Sequence, residues 1–116
     1  DINTIAIMSN DVENYPEDSF ENMKNFSKLN NFDFPYLYDE HQKVAKDYDA
    51  VCTPDFYGFN KLLELQYRGR LDSGIMNSDN NEIKRELYDA MQLIVKTNKG
   101  PINQNNSIGC SIKWKK

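Results

Sequence analysis

Pro54, standing just ahead of Phe56-Tyr57-Gly58-Phe59, fixes where a strand can begin. Proline has no N–H to give to a sheet ladder, so it belongs at the first residue of a strand or at its edge. The stretch 56–59 then reads as that strand and 63–68 as its antiparallel partner around Asn60-Lys61, with Leu63, Leu65 and Tyr67 alternating with polar residues. In Val51-Cys52-Thr53-Pro54-Asp55-Phe56 a reactive residue type, a backbone constraint and a strand start coincide. X–Pro bonds are cis in only about 5–6% of folded cases, so the residues alone predict a trans Thr53–Pro54 bond.

The rest of the chain is placed around this corner. Asn3-Thr4-Ile5-Ala6-Ile7-Met8 is a continuous apolar, β-rich run, which suggests a strand covered on both faces in a parallel or mixed sheet. Asp18 and Glu21 have capping-box spacing ahead of a helix over 19–29, with Phe20, Met23, Phe26 and Leu29 as its apolar stripe and Asn30-Asn31 as a left-handed end. Phe34-Pro35-Tyr36-Leu37-Tyr38 reads as an extended segment laid against the sheet. Asp39 caps a second helix over 42–48, with Val44, Ala45 and Tyr48 inward. Residues 71–80 form a polar linker, and Asp79 with Glu82 opens a long helix over 81–97 whose Ile83, Leu87, Ala90, Met91 and Ile94 follow the 3.6-residue period. Lys96, Lys99 and Gly100 suit its end, 103–106 is a loop, and 107–114 docks back through Ile108, Ile112 and Trp114.

Composition narrows the function classes. A chain of 116 residues has room for one core. Its net charge of −4 argues against non-specific nucleic-acid binding, and Lys113-Trp114-Lys115-Lys116 reads as a solubilising tail. No apolar run approaches the roughly 20 residues of a membrane span. Two distant cysteines do not make a disulfide framework, which makes a reducing cytoplasm the default. His41 is the single histidine and reads as a surface residue; the acidic pairs Asp11/Glu13, Glu17/Asp18 and Asp39/Glu40 lack the alternating spacing of a calcium loop and read as solvated caps. No metal or other cofactor is expected, because no phosphate loop, dinucleotide fingerprint or nucleophile elbow occurs.

Thr53-Pro54-Asp55-Phe56, after a short helix and before two strands joined by a tight turn, resembles the cis-proline corner of the thioredoxin fold. Four further stretches, Asn10-Asp11-Val12-Glu13-Asn14-Tyr15-Pro16-Glu17-Asp18, Phe34-Pro35-Tyr36-Leu37-Tyr38-Asp39-Glu40, Tyr67-Arg68-Gly69-Arg70-Leu71-Asp72 and Ser107-Ile108-Gly109-Cys110-Ser111-Ile112-Lys113-Trp114, resemble thioredoxin-like proteins of the alkyl hydroperoxide reductase/thiol-specific antioxidant family. The resemblance covers nearly the whole chain and implies an α/β, three-layer thioredoxin-like fold: a mixed sheet with a C-terminal hairpin and helix, and a cis bond at Pro54. It departs at the front, where such proteins carry a central strand and a helix that starts on the reactive cysteine, as Cys-x-x-Cys or after Pro-x-x-x-Thr. The expectation is an N-terminally truncated thioredoxin-like domain over 1–100 and a tail over 101–116 that docks on it. Loss of the central strand would expose unpaired N–H and C=O groups on both of its neighbours. Such a chain is expected to be poorly stable alone, or to form a homo-oligomer, swap strands or retain the missing piece.

By the same resemblance the chain is a thiol-disulfide oxidoreductase or thiol peroxidase domain, inactive as it stands because the catalytic cysteine is absent, with a thiol or disulfide protein or a peroxide as partner. The alternative is a non-catalytic thioredoxin-fold module for protein binding or self-assembly. Thr53 and Pro54 would line the substrate groove, where a cis proline turns backbone groups toward an extended peptide; otherwise Pro54 is a plain strand-entry proline. Cys52 is either a structural bystander or a secondary redox thiol, and Cys110, beside Gly109, either a resolving thiol or an oxidation-prone surface one. Arg68 and Arg70 offer an active-site arginine; the alternative is that Arg68 and Asp72 are only a surface pair.

Overall fold

A computed structural model describes residues 2–74 and 83–116, so the expected capping pair Asp79/Glu82 lies outside the described residues. The chain divides into two compact units, residues 1–51 with 111–116 and residues 52–110. It is a mixed helix and strand protein whose described strands form three two-stranded ladders in place of the single mixed sheet that the resemblance implied.

In the first unit, strand β1 (Ala6–Met8) pairs in parallel with β2 (Tyr36–Tyr38), Ile7 opposite Leu37. Parallel neighbours need a crossover, and helix α1 (Phe20–Leu29) supplies it. Its N-cap is Ser19, one residue later than the sequence spacing suggests: Ser19 Oγ accepts the Asn22 N–H at 3.2 Å, while Asp18 ends a preceding 3-10 turn. Asn31 takes the left-handed conformation expected of the Asn pair. Of the expected apolar stripe only Met23 is buried. Phe26 instead meets Phe32 and Tyr36, and Phe20 meets Tyr38, because aromatic rings gain from edge and tilted contacts without full burial.

Helix α2 (Lys43–Asp47) buries Ala45, while Val44 and Tyr48 remain exposed. Asp39 caps it from a distance: its carboxylate accepts the N–H groups of Val44 and Ala45 and the Ser9 hydroxyl. The left-handed, buried Gln42 donates to the carbonyls of Ser9 and Lys113 and accepts from the Lys115 N–H, which fastens the end of the chain. Ile112 is buried there, as expected of a docking residue.

The second unit is built on a hairpin. Strands β4 (Phe56–Phe59) and β5 (Leu65–Gly69) pair antiparallel, Phe56 opposite Gly69 and Gly58 opposite Tyr67. Helix α3 (Glu86–Thr97) covers one face and makes a core of Tyr67, Ala90 and Ile94 with Phe56, Leu87 and Met91 against it. Tyr67 is inward as expected, but Leu63 and Leu65 are exposed, since Leu63 has φ 62° in the turn and a register shift at Gly58/Phe59 breaks the alternation. Asn98, with φ 61°, ends α3 in the role expected of Gly100. Ile108 is exposed and does not dock.

The 103–106 loop does more than connect. Gln104 Oε1 accepts the Arg68 N–H, Gln104 Nε2 donates to the Gln66 carbonyl, and the Asn105 carbonyl accepts the Arg70 N–H, so the outer edge of β5 is satisfied without another strand. The third ladder pairs β3 (Cys52–Thr53) with β6 (Cys110–Ser111). Among the described residues β1 has no strand partner but β2, and β4 none but β5.

Candidate functional site

The corner around Pro54 is held by Asp55. Its side chain is only 7% exposed, and an isolated buried carboxylate is costly, so its oxygens need donors. Oδ2 accepts the Tyr57 hydroxyl at 3.1 Å and lies 3.4 Å from both Nε and Nη2 of Arg68. Ser107 Oγ, with one proton to give, stands 2.9 Å from Asp55 Oδ1 and 2.6 Å from the Gly69 carbonyl oxygen. Strand alternation explains the grouping: Tyr57 and Arg68 are directly opposite in the β4–β5 register, on the face turned away from the Tyr67 core. The Arg68 guanidinium also lies 5.2 Å from the Tyr57 ring centre. Burial, with the neighbouring Asp55 carboxylate, pushes the Tyr57 phenol up to about 12.

The Thr53–Pro54 bond is cis, as the resemblance implied and against the trans form that the residues alone predict. Thr53 and Pro54 are both exposed. Cys52, half-buried, directs its thiol at the Ser107 carbonyl at 3.7 Å, and Cys110 is exposed; both are free. The two cysteines therefore sit on paired strands beside the proline.

Arg70 belongs to a separate cluster. Its guanidinium donates to the Glu86 carboxylate, which Asn105 also approaches, and these bonds, Arg70 first, hold Glu86 below the usual carboxylate range. Arg68 pairs with Asp55, in place of the surface pair expected with Asp72, and Arg70 pairs with Glu86. His41 lies on the surface with its side chain 86% exposed. Asp11 accepts from Asn14 and from the Glu13 N–H, and no group of three or more His, Cys, Asp or Glu among the described residues could hold a metal ion. No helix of the described residues is long and apolar enough to cross a membrane.

The sequence singles out Cys52, Thr53 and Pro54 but does not mark Asp55, Tyr57 and Ser107 as one cluster. The i, i+2 spacing of Asp55 and Tyr57 was a legible sign; Ser107 lies 52 positions from Asp55 and carried none.

No family model matches the chain, and no curated protein does. Solved structures similar to it include the following two. An uncharacterized conserved protein from Geobacillus kaustophilus is 49% identical, with a TM-score of 0.90 over 97% of this chain and 60% of its own. A hypothetical protein from Sinorhizobium meliloti 1021 is 35% identical, also with a TM-score of 0.90, over 97% of this chain and 62% of its own. The chain shares its fold with about three fifths of each of these proteins.

Proposed function

We propose that the chain is the cis-proline part of a thioredoxin-like domain for thiol-disulfide or thiol-peroxide chemistry, of the alkyl hydroperoxide reductase/thiol-specific antioxidant kind, whose attacking cysteine is not among these 116 residues. The observation that carries the reading is the cis Thr53–Pro54 bond directly ahead of the β4–β5 hairpin that α3 covers; among the described residues the strand partner of β1 is β2 and that of β4 is β5. In a thioredoxin fold a central strand joins two such ladders and its helix delivers the cysteine. The exposure of Ile5, Ile7 and Leu37, all on the β1–β2 ladder or leading into it, fits a face made for further cover. Thr53 and Pro54 then line the groove for an extended partner. In the peroxide reaction the attacking thiolate takes one oxygen to become a sulfenic acid while water or an alcohol leaves, and Cys110, exposed on β6, condenses with it to a disulfide with loss of water. Two free thiols suit a reducing cytoplasm.

The exposed Ile5, Ile7 and Leu37 favour a second reading, a non-catalytic module that pairs with another copy of itself. Hydroperoxide consumption with dithiothreitol or thioredoxin separates the two. The chain alone should show no turnover; a fusion behind a strand and a cysteine-bearing helix start of the thioredoxin type should turn over, and should lose activity when that cysteine is replaced. A silent fusion, together with a dimer in sedimentation, selects the module. Turnover by the chain alone, abolished by Cys52→Ser or Cys110→Ser, overturns both.

A further inference from the structure

The edge beside Pro54 already has an occupant. Gly109 lies so close to Thr53 that a Cβ on it would stand 2.0 Å from the Thr53 carbonyl oxygen and 3.4 Å from the Pro54 nitrogen. No glycine has positive φ, so it is proximity and not backbone conformation that bars a side chain here. Two residues earlier, Ser107 Oγ reaches both Asp55 and the Gly69 carbonyl, and its own carbonyl faces the Cys52 thiol. The strand then continues as Cys110 in the ladder with β3.

This segment is held by polar groups. Ile108, its one large apolar residue, is 86% exposed, so no buried hydrocarbon anchors it. Hydrogen bonds of this kind exchange for equivalent bonds from another chain at little net cost.

We propose that Ser107–Cys110 is a resident stand-in for a partner strand on the Thr53 edge, and that a partner displacing it is an extended polypeptide carrying serine or threonine two positions before a glycine. The proposal rests on the groove reading of Thr53 and Pro54 given above. An incoming hydroxyl takes the place of Ser107 between Asp55 and Gly69, and the glycine clears the Thr53 carbonyl. While the resident segment is seated, the site is closed and Cys52 is shielded; when it leaves, the Cys52 thiol opens to solvent.

The test uses the full chain in a Cys110→Ser background, so that Cys52 alone reports. The probe is a fluorescent peptide copying residues 104–112 with serine in place of Cys110, alongside versions with alanine in place of Ser107 or of Gly109. Gly109→Ala, whose methyl group cannot share space with the Thr53 carbonyl, should raise the rate of Cys52 alkylation by iodoacetamide about tenfold or more and tighten peptide binding by a similar factor. Either alanine peptide should bind about tenfold more weakly than the parent. Ser107→Ala, which adds no atoms, should show the same two changes in smaller measure and is decisive if Gly109→Ala does not fold. Unchanged alkylation, or faster alkylation without peptide binding, or binding indifferent to the serine and glycine, overturns the proposal. Neither readout involves turnover, so failure here is distinct from failure of the oxidoreductase reading.

Discussion

The Asn60 side chain donates to the Asn98 carbonyl at 3.0 Å, tying the turn of the β4–β5 hairpin to the C-terminus of α3. Asn60 uses its full capacity: it also donates to Glu64 and accepts the N–H groups of Leu62 and Glu64. Because Asn60 is buried, Asn60→Ala leaves these partners unsatisfied and should lower stability by about 2–3 kcal/mol in urea unfolding. Asn98→Gly, which keeps the left-handed end and its carbonyl, should cost less than about 0.5 kcal/mol. Equal losses in the two variants would show that the tie is unimportant.

Acid should loosen the first unit through Asp39. Burial alone would raise this carboxyl, but the N–H groups of Ala45 and Val44 and the Ser9 hydroxyl outweigh it and hold the folded pKa below the ordinary value. A depressed folded pKa contributes stability above the unfolded pKa, near 4, and loses it as pH falls through the folded pKa. Asp39→Ala should cost about 2 kcal/mol at pH 7, and its deficit against the native chain should shrink steadily below about pH 4. A deficit that stays constant down to pH 2 would contradict this account.

Gly58 has no room for a side chain: a Cβ would stand 2.5 Å from Met91 Sδ and 3.3 Å from Tyr67 Cβ. Gly58→Ala should destabilise by about 1–3 kcal/mol. The nearest atom belongs to a flexible side chain, so Gly58→Ala with Met91→Ala should recover part of what the sum of the single losses predicts. Strict additivity in a double-mutant cycle by thermal melting would mean that Met91 is not the obstacle.

Tyr57 should ionise well above an ordinary tyrosine. The alkaline difference titration between the native chain and Tyr57→Phe, followed by phenolate absorbance, should have its midpoint at about 12. Asp55→Asn removes the neighbouring negative charge and should bring that midpoint down. A native midpoint at the ordinary value of about 10 would place Tyr57 in water, away from Asp55.

What could be read in advance was local. The strand start at Pro54, the hairpin and the 3.6-residue stripe of α3 follow from residue-by-residue constraints, and Ala90 and Ile94 are buried where the stripe put them. The α1 stripe failed for the opposite reason: Phe20, Phe26 and Leu29 have helical spacing, but spacing says only that they share a face, and what covers that face is decided by other parts of the chain. Asp39 was legible as a cap because its partners follow within six residues. The meeting of Asp55 with Ser107 was not, since a hydroxyl in an Asn-rich loop carries no mark of a partner so far away.

Gln104 gives the hairpin an end. Its amide presents one acceptor and one donor to Arg68 and Gln66, the same pair of groups that a neighbouring strand would offer. Gln104→Ala should expose those groups, and sedimentation at rising concentration should show more self-association than the native chain; no change would mean that Asn105 alone guards the edge.

A stopper made of one side chain is reversible in a way that a covering strand is not. Gln104 can swing aside by rotamer changes on the nanosecond scale, while the backbone bond from Arg70 to Asn105 stays in place. The side of the hairpin that looks finished is thus closed in two ways, by a side chain that can open and reclose at Gln104 and by backbone that stays seated at Asn105.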